Sequence, residues 1–416
     1  MTGGFKSSLF AGASAFAMLL ATGNGAVAGD DKDKLDLKVK WKGAPEFSST
    51  DGQFKFKVRG RIQADGTWGT QDESITGAEN VNATEIRRAM LGVQGTMFGK
   101  WNYLFETLFY DGNAEISDAY MTYTGFPVHV TIGQFKTFNS LEELTSSNVT
   151  TFMERAAFTD AFDLERQIGV GLSIKKDNWT FGAGGYSANA KDVAFDEGAT
   201  FAARGTFAPI NTKTHVLHLG AHIRHRDNGD TGNYRYSQRA ADLHLMDRLV
   251  DTGAIGTGDT MWGLEFAGVA GAFSVQGEYS QNRVRLPHHL GGFKPNYEGW
   301  YVDASLFLTG EHRHYSQGTF SRIKVLDPVS QGGVGAWQIA GRYDVIDLSD
   351  KAGEIASFGA ISCSECGEQR TWLFGVNWYP VDYVRFMLNV GHSKIDGGKN
   401  DGAEVTAAGV RAQIDW

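Results

Sequence analysis

The sequence predicts an all-β fold: a 16-stranded antiparallel transmembrane β-barrel with long extracellular loops, some of them folded into the lumen. Three observations carry this expectation. The chain divides into an even number of segments that alternate with period 2. The connectors between those segments alternate long and short, and the last segment alternates without a break up to Trp416. Successive side chains of a strand point to opposite faces. In a barrel that crosses a bilayer the apolar face is the outer one and the lumen is polar.

Residues 1–28 read as a secretory signal. Lys6 precedes an apolar stretch, and Ala26-Val27-Ala28 gives the small-x-small pattern of a cleavage site. Residues 29–416 then form one barrel. They contain no run of 18 apolar residues, so a transmembrane helix is not available. The whole chain has 53 Gly, only 7 Pro and 12% aromatic residues, with short aromatic and β-branched runs separated by glycine-bearing turns. That is an all-β signature at a length unusual for one soluble sandwich. The formal charge of −9 gives no reason to expect a nucleic-acid partner.

In chain order the strands are expected at 53–64, 85–97, 101–110, 116–124, 128–135, 166–175, 178–187, 199–207, 214–225, 258–268, 271–281, 298–309, 334–344, 370–379, 383–392 and 403–416. Most are long enough to cross a bilayer when tilted, which takes about 9–11 residues. Residues 35–41 add a short pairing segment before the first. The long connectors include 65–84, 136–165, 226–257 and 345–369, and the short ones include 98–100, 125–127 and 380–382. Two connectors break the alternation: 111–115 is short where a long one is due, and 310–333 is long where a short one is due. Short turns at one end and long loops at the other, with both termini at the turn end, fit a bacterial outer-membrane barrel.

Individual strands show which face carries charge. Phe54, Phe56, Val58, Gly60 and Ile62 share one face of the first strand, opposite Lys55, Lys57, Arg59, Arg61 and Gln63. In 214–225, Leu217, Leu219, Ala221 and Ile223 oppose His218, His222, Arg224 and, just beyond, Arg226. On one strand such cations would be a solvated face. On several strands of one closed barrel they line a lumen, where cations favour admission of anions. Arg59, Arg61, Arg88, Arg224 and Arg226 are therefore candidate wall residues. In the connector 226–257, Arg235 and Arg239 share a face if that piece is extended. The connector 136–165 mixes Phe138, Leu141, Leu144 and Phe152 with Lys136, Glu142, Glu143, Glu154 and Arg155. So apolar a loop is expected to fold into the barrel or pack on a neighbouring subunit. In the last strand Ile414, Val410 and Trp416 are expected to face lipid, and Arg411 and Gln413 the pore or its mouth.

Five stretches carry a resemblance to a known family: IRRAMLGVQG, SDAYMTYTGFPVHVTIGQF, LEELTSSNVTTFMER, GAWQIAGRYDVIDL and GVNWYPVDYVRFMLNVGHSKID. In this order, spread from about residue 50 to Trp416, they resemble the phosphate-selective porin O/P family. The resemblance implies a trimeric 16-stranded barrel in the bacterial outer membrane, whose third loop folds inward beside an arginine-lined anion path. Arg61, Arg87 and Arg88 match arginines of the family's lumen ladder. Arg155 and Asp118 match groups of the central constriction, and Arg235 and Arg239 match ladder arginines on the fifth loop. The phosphate-specific members carry lysines where this chain has Asn102 and Asn148. The resemblance therefore implies passive diffusion of small anions such as phosphate or polyphosphate, with a general small-solute porin as the alternative. The expected partners are those anions, outer-membrane lipid and lipopolysaccharide, and two further copies of the chain.

Two other readings are weaker. Cys363 and Cys366 are the only cysteines; no second ligand pair accompanies them, and in an exported protein this spacing reads as a local disulfide. A barrel enzyme would draw on His288, His289, His312 and His314, but no G-x-S-x-G nucleophile motif stands out. His312 and His314 offer two metal ligands without a third. No cofactor or metal is expected.

Overall fold

The computed structural model describes residues 37–110, 112–191, 194–229, 233–358 and 363–416; the expected signal segment 1–28 lies outside them. Sixteen strands form the wall: β1 (Lys55–Thr70), β2 (Val81–Met97), β3 (Trp101–Tyr110), β4 (Asn113–Tyr123), β5 (His129–Lys136), β6 (Arg166–Lys175), β7 (Trp179–Tyr186) and β8 (Ala199–Asn211), followed by β9 (His215–Asp227), β10 (Gly258–Ala270), β11 (Phe273–Arg285), β12 (Asn296–Phe307), β13 (Ala336–Asp347), β14 (Glu368–Val381), β15 (Val384–Asp396) and β16 (Glu404–Asp415). Each pairs antiparallel with its neighbour in sequence, and β16 pairs with β1 from Thr406↔Thr70 to Asp415↔Arg61. The sheet is closed, so the barrel wall leaves no open edge. A hairpin of Leu37–Trp41 and Pro45–Ser49 is added beside β1 through Glu46↔Lys57.

Several strands run longer than expected because the alternation continues past the expected bounds. In β1, expected to end at 64, Asp65 and Thr67 extend the buried inward face, while Trp68 extends the exposed outer one. The outer surface is otherwise apolar, with Phe105, Phe109, Met121, Ile132, Val170, Leu172, Phe266 and Phe374 exposed. A surface this apolar belongs in lipid. No helix among the described residues is long and apolar enough to cross a membrane.

Closure depends on the chain end. Trp416 exchanges both backbone hydrogen bonds with Gly60, at 3.0 and 3.2 Å. Its ring lies so close over Gly60 that a Cβ there would sit 2.4 Å from the indole. The glycine supplies the space in which the last side chain seats on the first strand.

The long connectors gather at one end, the loop end, and the short ones at the other, the turn end. The two irregular connectors have structural reasons. β3 runs to Tyr110 and β4 starts at Asn113, so strand takes up most of the connector expected at 111–115. Residues 308–335 form a turn that folds into the lumen: its small hairpin, His314–Ser316 with Thr319–Ser321, carries Phe320 to Leu141 of the third loop (137–165). The third loop, the fifth loop (228–257) and the seventh loop (348–367) share a hydrophobic core inside the barrel. It includes Phe158, Phe162, Tyr236, Met246, Leu348 and Ile355, packed against Tyr297, Tyr301 and Ile346 of the wall. Cys363 and Cys366 form a disulfide at the edge of this core.

Trp416→Ala removes the ring that covers Gly60, so the fraction of chain reaching the heat-modifiable folded form on gels should fall. Channels that do assemble should keep wild-type conductance, because the ring faces away from the lumen.

Candidate functional site

The lumen is organised by the third loop, which the wall holds from many sides. The amides of Leu141 and Glu142 donate to the Glu278 carboxylate of β11 at 2.9 and 2.7 Å. The Ala157 amide donates to Asp344 of β13 at 2.8 Å, and the Met153 amide to Asn389 of β15 at 2.8 Å. Wall cations take the loop's acceptors: Arg342 binds Glu142 at 2.8 Å, and Arg224 donates to the Phe162 carbonyl at 2.9 Å. Buried backbone groups need such partners. Each contact therefore satisfies a group that water would otherwise have to reach, and together they fix the loop against β9–β16.

The tightest cluster surrounds Glu154. Arg87 grips its two oxygens at 3.0 and 3.0 Å, Arg88 approaches to 3.5 Å, and Arg411 reaches it at 2.6 Å while also binding Asp65 at 2.7 and 2.6 Å. Two successive arginines can both point inward because β2 carries a bulge. Gln63 pairs with Arg88 and Ala64 with Ile86, which leaves Arg87 as the extra residue. Burial opposes ionisation of Glu154, but Arg87, Arg88 and Arg411 outweigh it and hold the carboxyl well below the usual range. Glu154 sits where a small oxyanion would sit among these forks.

Open space remains on the other side of the third loop, in three cavities that share walls. The outer one, about 220 Å³, lies between the third and fifth loops and is lined by Arg87, Arg88, Arg155, Arg239 and Arg248 facing Glu143, Glu154, Asp160, Asp163 and Asp242. The middle one, about 660 Å³, shares Arg88 and Arg155 with it. Arg59, Arg61, Lys136, Arg166, Lys175 and Arg204 also line it, and among the described residues Asp118 is its only lining carboxylate. The innermost cavity, about 290 Å³ at the turn end, shares Arg59 with the middle one. The outer cavity is balanced in charge, so the cationic excess sits in the middle. The middle cations have partners, but most of those stand out of the cavity. Glu106 holds Arg59 at 2.9 Å and Arg61 at 3.5 Å; Glu143 holds Lys136 at 3.0 Å and Arg155 at 3.2 Å. Asp118 pairs with Arg166 at 3.0 Å.

The expected wall residues thus divide. Arg59, Arg61, Arg88, Asp118 and Arg155 line the middle cavity, and Arg87 and Arg239 line the outer one. Arg224 and Arg226 face inward as expected but line none of these cavities. They are buried, Arg226 on Asp259 at 2.8 Å and Asp163 at 2.9 Å, and Arg224 on the backbone of Phe162 and Asp163, so they anchor the tip of the third loop. Arg235 is half exposed on the outer hairpin and paired with Asp251; register shifts in that hairpin separate it from Arg239. Arg411 is buried in ion pairs instead of facing the pore mouth. Asn102 lines the innermost cavity and accepts from Thr96 at 2.8 Å, whereas Asn148 donates to Asp415 at 3.2 Å. His312 and His314 meet edge to face at 4.5 Å in the inserted turn, and His288 and His289 sit in a loop-end helical turn. Lys136, Arg166, Lys175 and Arg204 were not among the expected wall residues; the alternation of their own strands was the signal for Lys175 and Arg204.

Over residues 56–416 the sequence matches the family described as phosphate-selective porin O and P. It is 30% identical over 441 residues to Porin O of Pseudomonas aeruginosa, covering 97% of each protein. It is 34% identical over 398 residues to an uncharacterized protein of Caulobacter vibrioides, covering 91% of this chain and 77% of that one. Among solved structures it resembles the anion-selective porin from Comamonas acidovorans, with a TM-score of 0.59 at 11% identity, over 87% of this chain and 100% of that one. That last likeness is one of fold.

Glu154→Gln keeps hydrogen-bonding atoms for the arginines but removes the charge that neutralises them. A unit charge about 4 Å from an ion in water is worth about 1 kcal/mol, so the chloride-to-potassium permeability ratio should rise severalfold, read as reversal potential in a KCl gradient. Asp242 gives a pH dependence. Burial raises its carboxyl to about 6, against the opposing pull of Arg342 and a hydrogen bond from Gln238. As pH falls through that value the outer cavity loses a negative charge, so anion preference should increase from neutral pH toward pH 5. Asp242→Asn should already show much of that increase at neutral pH.

Proposed function

Because this chain belongs to the phosphate-selective porin O and P family, we propose that it passes small anions by passive diffusion along the three cavities beside β1–β8, with the arginines of the middle cavity setting the preference. The chain is an outer-membrane porin, a channel and not an enzyme. The observation that carries the reading of its path is the middle cavity. Among the described residues, eight arginine and lysine side chains line it against one carboxylate, Asp118, which is itself paired. A cation bordering confined water replaces part of the hydration an anion loses on entering. Arginine does this with a fixed fork of donors suited to carboxylate and phosphate oxygens. Arg88 and Arg155 line both the outer and the middle cavity, so an anion on this route meets both.

The preference is general, with phosphate one substrate among small anions. Asn102 and Asn148 bring neutral amides where the phosphate-specific members carry lysines, and Asn148 is occupied with Asp415 away from the middle cavity. The loop end faces lipopolysaccharide and the apolar outer surface meets lipid. A homotrimer fits the wall on the β3–β7 side. β5 and β7 have 8 residues each, about 19 Å of height when tilted, against an apolar band of about 25 Å in a barrel that meets lipid all round. A neighbouring copy would cover that low side.

In planar bilayers the purified protein should give conductance steps and a reversal potential on the chloride side. A folded but silent protein would remove the channel reading, and potassium preference would remove the arginine path. Arg88→Ala and Arg155→Ala should each weaken chloride preference. Phosphate should block chloride current only at about millimolar concentration; micromolar block would mean a tight phosphate site despite the two asparagines.

A further inference from the structure

The middle cavity is cationic on one side, yet part of its wall is apolar in a way that a path for inorganic ions does not require. In β3 the sequence WNYLFETLFY carries large apolar residues on both faces. Phe105 and Phe109 point outward, while Leu104 and Leu108 turn inward and line the cavity. Inward positions of a porin barrel are normally polar, because they border water. Met90 of β2 and Tyr120 of β4 extend the patch. Across the cavity floor Phe135 and Phe138 meet edge to face at 6.2 Å. Phe138 lies on wall glycines: a Cβ at Gly182 would come within 2.7 Å of its ring, and one at Gly171 within 2.9 Å. The wall is thus cut away to seat an aromatic side chain beside the water path.

We infer that the middle cavity is a subsite for organic monoanions with a compact apolar body, of the aryl-carboxylate class. The guanidinium groups of Arg59, Arg61, Arg155 and Arg166 would take the carboxylate, and Leu104, Leu108 and Met90 the ring. The volume, about 660 Å³, is in the range of small-molecule pockets, typically about 300–1,000 Å³ lined by apolar groups with a few placed polar ones. Inorganic phosphate uses only the cationic half. An anion with a ring uses both, since removing its apolar surface from water adds to the charge attraction. This substrate class rests on the anion-path reading above and narrows it.

Benzoate and acetate carry the same charged group and differ in the ring, so they isolate the apolar half. In planar bilayers holding the wild-type protein, benzoate should inhibit chloride current at a concentration about tenfold below that of acetate, equivalent to about 1.4 kcal/mol. In the double variant Leu104→Gln, Leu108→Gln the ratio of the two inhibitory concentrations should fall to about one. Met90→Gln, a single change, should lower it in the same direction and carries the test if the double variant fails to insert. Equal inhibition by benzoate and acetate in the wild type, or a ratio unmoved by these variants, overturns the subsite. The reversal potential recorded in the same membranes separates the two failures. Cation preference defeats the anion path as a whole, whereas anion preference without ring preference defeats only the subsite.

Discussion

The structure depends on the third loop being held across the barrel by charge and hydrogen bonds, with the Glu154 carboxylate under Arg87, Arg88 and Arg411 as its centre. A barrel of sixteen strands encloses more space than side chains alone fill. Here the loop fills the β9–β16 side, and the inserted turn 308–335 meets it from the opposite end. Arg204 donates to the Gly318 carbonyl at 2.8 Å and Arg313 to Gln276 at 2.7 Å, tying that turn to the wall. The open route is what remains, a narrow passage against β1–β8.

Arginine therefore has two separate uses in one lumen. Arg224, Arg226, Arg342 and Arg385 end on loop carbonyls and buried carboxylates. The charges of Arg224, Arg226 and Arg342 are matched by Asp259, Asp163, Glu142 and Asp303, and deleting one partner of such a pair typically costs about 3–5 kcal/mol because the other is left buried and unpaired. Arg59, Arg88 and Arg155 lean on Glu106, Glu154 and Glu143, acids outside the middle cavity, while all three and Arg166 line it. On the proposed path the first group holds the loop that narrows the lumen and the second would give the passage its sign. A count of inward arginines alone cannot separate these uses; the position of the acid relative to the water does.

Much of the fold was legible in the sequence because it follows from alternation, a local property. All sixteen strands lie where the pattern placed them, β3 and β6 with the same bounds, and the Trp416 face points outward. The site was legible only in part. The bulges that turn Arg87 inward and leave Ser117 unpaired between Asp118 and Ile116 shift the parity by one residue, and alternation counts straight through them. The partners that bury Arg224 and Arg226 come from Asp259 and from the third loop, more than 30 residues away, where no spacing rule reaches. The irregular length of 310–333 was visible, but its direction into the lumen is set by contacts such as Phe320 on Leu141.

The claim that conduction is confined to the β1–β8 side is open to a direct measurement. The native cysteines are joined to each other, so a single introduced cysteine reports without background. Thr122→Cys borders the middle cavity, and Ser280→Cys lies on the filled side, buried beside His222. An anionic methanethiosulfonate reagent added during recording should reduce current through Thr122→Cys and leave Ser280→Cys channels unchanged. Equal reduction at both positions would mean that ions also pass on the side the third loop occupies, and would contradict this account of the pore.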